Sequence, residues 1–175
     1  KKANLETNPL EDGTLNGWGV ENLSGANSWM NDEHEGKRYA YVSGFQDDAN
    51  SEDWLISPAY DLQGVSHVRL TFMSANKYGG QIQLMISSDY AGDVASASWD
   101  DLTAQAVWSP GDWAWTPSGA VDLSAYEGET IHIAFLYTTD PGTGGTWEID
   151  DITLMGEGAL PEPHPAAHFL HGVAS

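Results

Sequence analysis

The segment TWEIDDITL, residues 146–154, decides the fold, because it has the pattern of a buried β-strand yet carries two adjacent aspartates in its middle. Side chains alternate between the two faces of a regular strand, so that every second residue points to the same side. Trp147 and Ile149 set one phase of this alternation, whereas Ile152 and Leu154 set the opposite phase. The register therefore breaks at the aspartate pair, and we expect a β-bulge there.

Period-two patterns of this kind recur along the chain, whereas the 3.6-residue period of helices is almost absent. Clusters of Gly, Pro, Asn and Asp separate the segments, as is typical of turns between strands. At least seven short strands predict an all-β, antiparallel sandwich that forms one domain over residues 1–156. Besides TWEIDDITL, the strand segments are RYAYVSG (38–44), DWLISP (53–58), HVRLTF (67–72), QIQLMIS (81–87), GAVDL (119–123) and TIHIAFLY (130–137).

Residues 157–175 differ from the rest of the chain, because three prolines between positions 161 and 165 favour an extended tail or linker. If this tail docks on a partner, Phe169 and Leu170 are the apolar side chains that would anchor it. Three tail histidines would share one face of a short helix and could hold a transition metal; the alternative is that they have no such role. They are His164, His168 and His171.

The charge of the chain is strongly negative, with 26 acidic and 6 basic residues and a formal net charge of −20. Nucleic acid is excluded as a partner, because its binding requires a basic surface. Anionic membranes are disfavoured for the same reason, and no apolar run approaches the roughly 18 residues that span a bilayer. The acidic surface is compatible with cation binding and equally with simple solubility.

Catalytic motifs are missing from the sequence. There is no cysteine, no nucleophile-elbow serine and no HExxH metal helix. Paired carboxylates of the kind that hydrolyse glycosides could exist on any acidic sandwich, but no pair is singled out here. We therefore expect a protein that is not an enzyme.

The two neighbouring aspartates require compensation if they are buried, because their charges repel each other. Calcium would supply it, since this ion takes six to eight oxygen ligands from carboxylates, carbonyls and amides. Asp150 and Asp151 would contribute at the bulge, and the loop FQDDANSEDW (45–54) holds four more acidic residues, among them Asp53. The alternative is that both aspartates lie at a solvated strand end. We favour a structural cation.

Several motifs, in this order along the chain, resemble choice-of-anchor J domains, which are related to the cleaved-adhesin and MAM-type modules of secreted proteins. The resemblance covers residues 3–156. It rests on NLETNPLEDGTLNGW (4–18), AYVSG (40–44), DWLISPAYDL (53–62), VRLTF (68–72), ISSDYAGD (86–93), VDLSAYEG (121–128) and TWEIDDITL.

This resemblance implies a jelly-roll β-sandwich of galactose-binding-like type that is extracellular, non-catalytic and often bound to calcium. In MAM-type relatives a cation lies near an early glutamate and the closing aspartate pair. Those positions correspond to Glu6 in NLET and Asp151 in EIDDI, with Asp150 beside it and Asp53 as a further match. The resemblance therefore predicts a structural calcium ion at Glu6, Asp53, Asp150 and Asp151.

The function implied is recognition or adhesion by a secreted or surface-exposed module that binds a glycan or another protein. Four aromatic residues could form the binding surface: Trp113 and Trp115 in PGDWAW, Tyr78 in NKYGG and Tyr90 in SSDYAGD. The alternative for these rings is packing in the core or at a sheet edge.

Two other functions stay open at this point. The chain could be a structural subunit of an extracellular filament, with the tail docking on copies of itself, or an accessory domain of a larger secreted enzyme. MAM modules usually contain disulfides, which this chain cannot form, so the bacterial branch fits better. Family members often end in a sorting signal with an apolar segment and a basic end; HPAAHFLHGVAS after LPEP has neither, so we do not expect wall anchoring from this segment.

Overall fold

The computed structural model describes residues 2–8, 10–47, 49–141 and 143–158, except for the side chains of residues 2–6. The segment 159–175, with Phe169, Leu170 and the three tail histidines, lies outside the described residues.

Two antiparallel sheets pack face to face and form the predicted β-sandwich. The first sheet contains β1 (Lys2–Asn8), β3 (Met30–His34), β4 (Lys37–Ser43), β7 (Val65–Lys77), β10 (Thr116–Pro117), β11 (Val121–Asp122) and β13 (Thr146–Gly158). The second sheet contains β2 (Gly19–Ser24), β5 (Ser51–Ile56), β6 (Tyr60–Asp61), β8 (Gln81–Ser87), β9 (Asp100–Asp101) and β12 (Thr130–Thr139).

Helical structure in the described part of the chain consists of three single 3₁₀ turns, at Val94–Ser96, Thr103–Gln105 and Ser124–Tyr126. No helix there has the length and apolar character needed to cross a membrane.

The long strand β13 has β7 on one side along its length and changes its neighbour on the other side. Residues 146–149 pair with β4, whereas residues 152–157 pair with β1. The register against β7 shifts between Asp150 and Thr153, and Asp151 has a φ of 50°. The predicted register break is therefore confirmed, and it lies where the strand exchanges one partner for another.

The bulge keeps both halves of β13 directed at the same core. Trp147 and Ile149 before it and Ile152 and Leu154 after it are all buried in the cluster between the two sheets. A regular strand would have turned one of these pairs away from the core, because its side chains alternate without interruption. Burial of four large apolar side chains therefore determines the position of the bulge.

The second sheet is covered on its outer face as well. Residues 88–99 lie over it, and the ring of Trp99 packs on that of Trp54 with 4.8 Å between centroids. Val94 and Leu136 are buried in the same outer cluster. Among the described residues, no comparable apolar cluster covers the outer face of the first sheet.

Close backbone contacts fasten the 140–145 loop to the end of the sandwich. The buried Tyr137 hydroxyl donates to the carbonyl of Gly145 at 2.6 Å and accepts from the amide of Gly44 at 2.8 Å. A Cβ atom on Gly145 would lie 1.9 Å from the carbonyl oxygen of Gly79. Glycine is required at this position because the two chain segments are in backbone contact.

We expect Gly145→Ala to lower the free energy of unfolding by about 3 kcal/mol, because the added methyl group overlaps a backbone atom that cannot rotate away. Gly19→Ala is the control: its Cβ would have its nearest neighbour at 3.9 Å, so its effect should stay within about 0.5 kcal/mol. Urea unfolding of both variants measures the difference. Equal free energies of unfolding for the two variants would contradict the backbone contact between Gly145 and Gly79.

Candidate functional site: an aromatic groove on the first sheet

The uncovered face of the first sheet carries polar and aromatic side chains in the outward phase of its strands. Tyr39 and Tyr41 alternate on β4 with the core residues Ala40 and Val42. Glu148 on β13 lies between two core residues and therefore points to the same outer face. These three side chains form the floor of a groove.

Residues 111–115, the tryptophan loop, form one wall of this groove beside the edge of β7. The backbone amide of Trp113 donates to the carbonyl of Asn76 at 2.9 Å, and Lys77 Nζ lies 2.9 Å from Asp112 Oδ1. Asp112 and Trp113 both have positive φ, at 53° and 58°. Residues other than glycine rarely adopt this backbone conformation, and such backbone strain is common at binding sites.

Ring contacts join the loop to the floor of the groove. Trp115 packs on Tyr39 with 5.7 Å between ring centroids, and Trp113 meets Tyr78 edge to face at 6.3 Å. Two cavities of about 520 and 740 Å³ follow one another here, and both are lined by Tyr41 and Trp113. We call this continuous surface the aromatic groove; Tyr39, Tyr41, Tyr78, Trp113, Trp115 and Glu148 line it.

Glu148 is a buried polar residue of the groove, with 7% of its surface exposed. The Tyr39 hydroxyl donates a hydrogen bond to its carboxylate. Burial raises the pKa of Glu148 to about 7, and the negative charge of Asp32 adds to this, while Tyr39 and His34 act in the opposite direction. Near neutral pH this group can therefore both accept and donate a hydrogen bond.

Lys37 connects the groove to the bulge in β13. Its Nζ lies 2.6 Å from Oδ2 of Asp150, which is fully buried, and 4.8 Å from the ring centroid of Trp115. Burial raises the pKa of Asp150 to about 6, although the hydrogen bond from Lys37 acts to lower it. Above that pH the two side chains form an ion pair next to the aromatic wall.

Three of the four aromatic residues singled out from the sequence meet in the groove: Trp113, Trp115 and Tyr78. The structure places Tyr90 elsewhere, in the cover of the second sheet, where its hydroxyl donates to Glu21 at 2.6 Å. Tyr90 packs there because the outer face of that sheet is apolar and must be covered.

Sequence reasoning missed three residues of the groove, Tyr39, Tyr41 and Glu148. A signal was present, because each of them alternates with apolar residues of the core and so occupies the outward phase of its strand. The pattern could not predict the position of the tryptophan loop. This loop packs beside the outer face of the first sheet and so forms the groove.

Of the predicted calcium ligands whose side chains are described, Asp53 lies in a different sheet from Asp150 and Asp151. Asp150 binds Lys37 and accepts a hydrogen bond from the amide of Asp151, whose own side chain is exposed. Asp53 lies on β5 in the second sheet, and the side chain of Glu6 lies outside the described residues. Among the residues that are described, no three histidine or carboxylate side chains are grouped to share a metal ion. At the bulge, an ammonium group compensates the buried carboxylate.

Asp53 is itself fully buried, in a polar environment of a different kind. Its Oδ1 accepts a hydrogen bond of 2.9 Å from the Asn22 amide. Burial raises the pKa of Asp53 to about 7; the hydrogen bond from Asn22 lowers it, and the charges of Asp47 and Glu52 raise it further. Among the described residues, this carboxylate has no ion pair of the kind that joins Asp150 to Lys37.

We expect Lys37→Met to lower the free energy of unfolding at pH 8 by about 2 kcal/mol, because it leaves Asp150 buried without a counter-charge. This figure is below that for a fully buried pair because Lys37 is partly exposed. The control is Lys77→Met, whose partner Asp112 is exposed, and it should cause no measurable change. Urea unfolding at constant ionic strength measures both variants. Equal changes in the free energy of unfolding would contradict the prediction, since the Lys37–Asp150 pair would then stabilise the fold no more than the exposed Lys77–Asp112 pair.

Glu148 should make stability depend on pH. A carboxyl whose pKa is higher in the folded protein than its usual 4.5 stabilises the fold fully below about pH 4.5, and this contribution is lost as the pH rises to about 7. The loss amounts to roughly 3 kcal/mol for this group. We therefore expect Glu148→Gln, which does not titrate, to gain stability relative to the unmutated chain between pH 4.5 and 8. A difference that stays constant over this range in urea unfolding would contradict the prediction.

Comparison with solved structures finds β-sandwich domains of the same fold. The K3 cleaved adhesin domain of Lys-gingipain from Porphyromonas gingivalis W83 superposes with a TM-score of 0.63 at 18% identity, over 89% of this chain and 100% of that one. The carbohydrate-binding module TmCBM61, solved with β-1,4-galactotriose, gives 0.53 at 20% identity, over 85% and 94%. The family 11 module from Clostridium thermocellum, solved with a β-1,3-1,4-mixed-linked tetrasaccharide, gives 0.51 at 15% identity, over 93% and 98%.

No curated protein matches the sequence. A family model does: the one described as "Domain of unknown function (DUF5017)" matches residues 61–157, from β6 almost to the end of β13. This match covers more than half of the chain and includes the β7 and β13 strands beneath the groove, so the chain belongs to the DUF5017 family.

Proposed function

We propose that this chain is a non-catalytic, extracellular module that binds glycans in the aromatic groove. The observation that carries the proposal is the arrangement of the rings: Trp115 against Tyr39 and Trp113 against Tyr78, placed along one uncovered sheet face. The C–H faces of sugar rings are apolar and pack on aromatic surfaces. The carboxyl of Glu148, which lines the same cavity as Trp113 and Trp115, supplies a polar group that orients a ligand.

The ligand class follows from shape and charge. The two cavities adjoin at Tyr41 and Trp113, so the groove suits an extended chain of sugar units better than a single sugar. A formal net charge of −20 repels uronates and sulfated polysaccharides at long range. We infer that a neutral polysaccharide is bound along its length.

Two of the structural neighbours support this proposal, because they were solved in complex with neutral oligosaccharides. The adhesin domain of Lys-gingipain supports the finer assignment to choice-of-anchor J domains and the secreted or surface location, both of which we keep as proposals. Docking through Phe169 and Leu170 concerns residues outside the described part of the chain and stays a prediction.

The proposal is tested by affinity electrophoresis and calorimetry with soluble β-1,4-galactan, mixed-linkage β-glucan and xylan, and with polygalacturonate as the charged counterpart. We expect at least one neutral polysaccharide to bind. Trp115→Ala should weaken its Kd at least about tenfold, or about 1.4 kcal/mol, because it removes a central aromatic contact.

Tyr90→Ala is the matched control, because it removes an aromatic ring from the second sheet and should leave the Kd unchanged. Circular dichroism verifies that both variants are folded. Failure of every neutral polysaccharide to bind, or equal weakening by the two substitutions, would contradict the proposal.

A further inference from the structure

Two large aromatic side chains are exposed at one end of the aromatic groove. Phe45 has 67% of its surface exposed and Tyr78 has 71%, the two highest values among the large apolar residues that the structure describes. Both side chains line the cavity of about 740 Å³, together with Trp113. Apolar rings that are exposed next to one another in a single cavity indicate a surface for binding.

The turns that carry these two rings follow the strands on either side of β13. Sheet order places β13 between β4 and β7, and Thr146 pairs with Ser43 on one side and with Lys77 on the other. Neighbouring strands lie about 4.8 Å apart, so the ends of β4 and β7 are about 10 Å apart. Phe45 follows β4 and Tyr78 follows β7, so the two residues flank the start of β13.

Backbone contacts fix the turn that carries Phe45. A Cβ atom on Gly144 would overlap the carbonyl group of Gly44 and would lie 2.5 Å from the amide nitrogen of Phe45. That amide donates a hydrogen bond of 3.1 Å to Oγ of Ser43. The amide of Asp47 donates one of 3.0 Å to the carbonyl of Gly44. The backbone of this turn is therefore held in place although the ring of Phe45 is exposed.

The turn that carries Tyr78 is held in the same way, and its backbone is strained. Asn76 Nδ2 donates a hydrogen bond of 2.8 Å to the carbonyl of Gly79. Trp147 Nε1 donates one of 2.9 Å to the carbonyl of Gly80. Tyr78 has a φ of 66°, which residues other than glycine rarely adopt. Strain of this kind, held by the surrounding structure, is common where ligands bind.

The separation of the two turns suits one sugar unit. Carbon atoms in contact lie about 3.5–4.0 Å apart, so a sugar held between two aromatic rings needs these rings about 7–8 Å apart. Side chains that start from strand ends about 10 Å apart can provide this spacing. Gln46 and Thr143 line the same cavity and can form hydrogen bonds with hydroxyl groups at the rim of the sugar.

We propose that Phe45 and Tyr78 form a clamp that holds one unit of the bound polysaccharide between their rings. This inference rests on the proposed function and makes its ligand class more specific. A clamp contacts both faces of the sugar, whereas a single aromatic ring contacts one face. The clamp therefore requires a sugar that is apolar on both faces.

This requirement separates the neutral polysaccharides from one another. In β-linked glucose and xylose units the ring hydroxyls are equatorial, so both faces present C–H groups. Galactose has one axial hydroxyl, which would point at one ring of the clamp and lose its hydrogen bonds to water. The clamp thus selects β-glucans and xylans over galactans.

The test measures by calorimetry the Kd of hexasaccharides from mixed-linkage β-glucan, xylan and β-1,4-galactan. We expect the glucan or the xylan hexasaccharide to bind at least about fivefold more tightly than the galactan one, because only the galactan unit buries an unpaired hydroxyl. Phe45→Ala should weaken binding of the preferred hexasaccharide at least about fivefold, since it removes one aromatic face. It should also abolish the preference over galactan.

Further variants separate the ring from the fold. Phe45→Tyr retains an aromatic face and should retain the preference. Tyr78→Asn removes the other ring, and asparagine tolerates the positive φ of this position, so this variant should behave like Phe45→Ala. The control is Leu23→Ala, which shortens an exposed apolar side chain of β2 in the second sheet and should leave every Kd unchanged.

The outcomes distinguish the clamp from the groove. If Trp115→Ala weakens binding while Phe45→Ala and Tyr78→Asn change neither the Kd nor the preference, the clamp is overturned and the proposed function stands. Equal or tighter binding of the galactan hexasaccharide by the unmutated chain would also overturn the clamp alone. If no neutral polysaccharide binds, the proposed function fails and the clamp fails with it.

Discussion

The ion pair between Asp150 and Lys37 lies where β13 leaves β4 and begins to pair with β1. Asp150 is the last residue before the bulge, and regular alternation after the core residue Ile149 directs its side chain away from the core, where it is fully buried. Lys37 is positioned to compensate this charge because it begins β4, the strand that pairs with the first half of β13. The same ammonium contacts the ring of Trp115. Lys37 therefore contacts both the bulge in β13 and the wall of the groove.

The two sheets differ in what covers their outer faces, and this difference determines where a ligand can bind. The second sheet is covered by residues 88–99, whose apolar side chains pack over Trp54 and Leu136. In the described part of the chain, the first sheet has the tryptophan loop at one side of its outer face and presents tyrosines and a carboxyl there. An uncovered face with aromatic rings and few polar groups is the usual form of a ligand site. The groove therefore lies on the sheet that also contains the bulge.

Buried carboxylates occur at four points in the described part of the chain, and the surroundings of each are different. Asp150 has an ammonium partner, and Glu148 has the hydroxyl of Tyr39 and a raised pKa. Asp47 accepts hydrogen bonds from the backbone amides of Ala26 and Ala49, and Asp53 accepts one from the side-chain amide of Asn22. Asp53 is the least compensated of the four by the described residues, and burial of an unpaired charge is costly. Asp47 also lines the larger of the two cavities of the groove.

The sequence by itself determined the all-β class, the principal strands and the break within TWEIDDITL, because alternation of apolar residues is a local signal with a period of two. It also pointed to Trp113, Trp115 and Tyr78, since aromatic residues in turns are conspicuous. Only the tertiary structure decided that Tyr90 belongs to the cover of the second sheet and that Tyr39, Tyr41 and Glu148 form the floor of the groove. The partners of the aspartates were likewise beyond the sequence: Lys37 is 113 residues from Asp150 along the chain, and Asn22 is 31 from Asp53. Strand alternation assigns a side chain to a face, whereas its neighbours on that face depend on which distant strands pair.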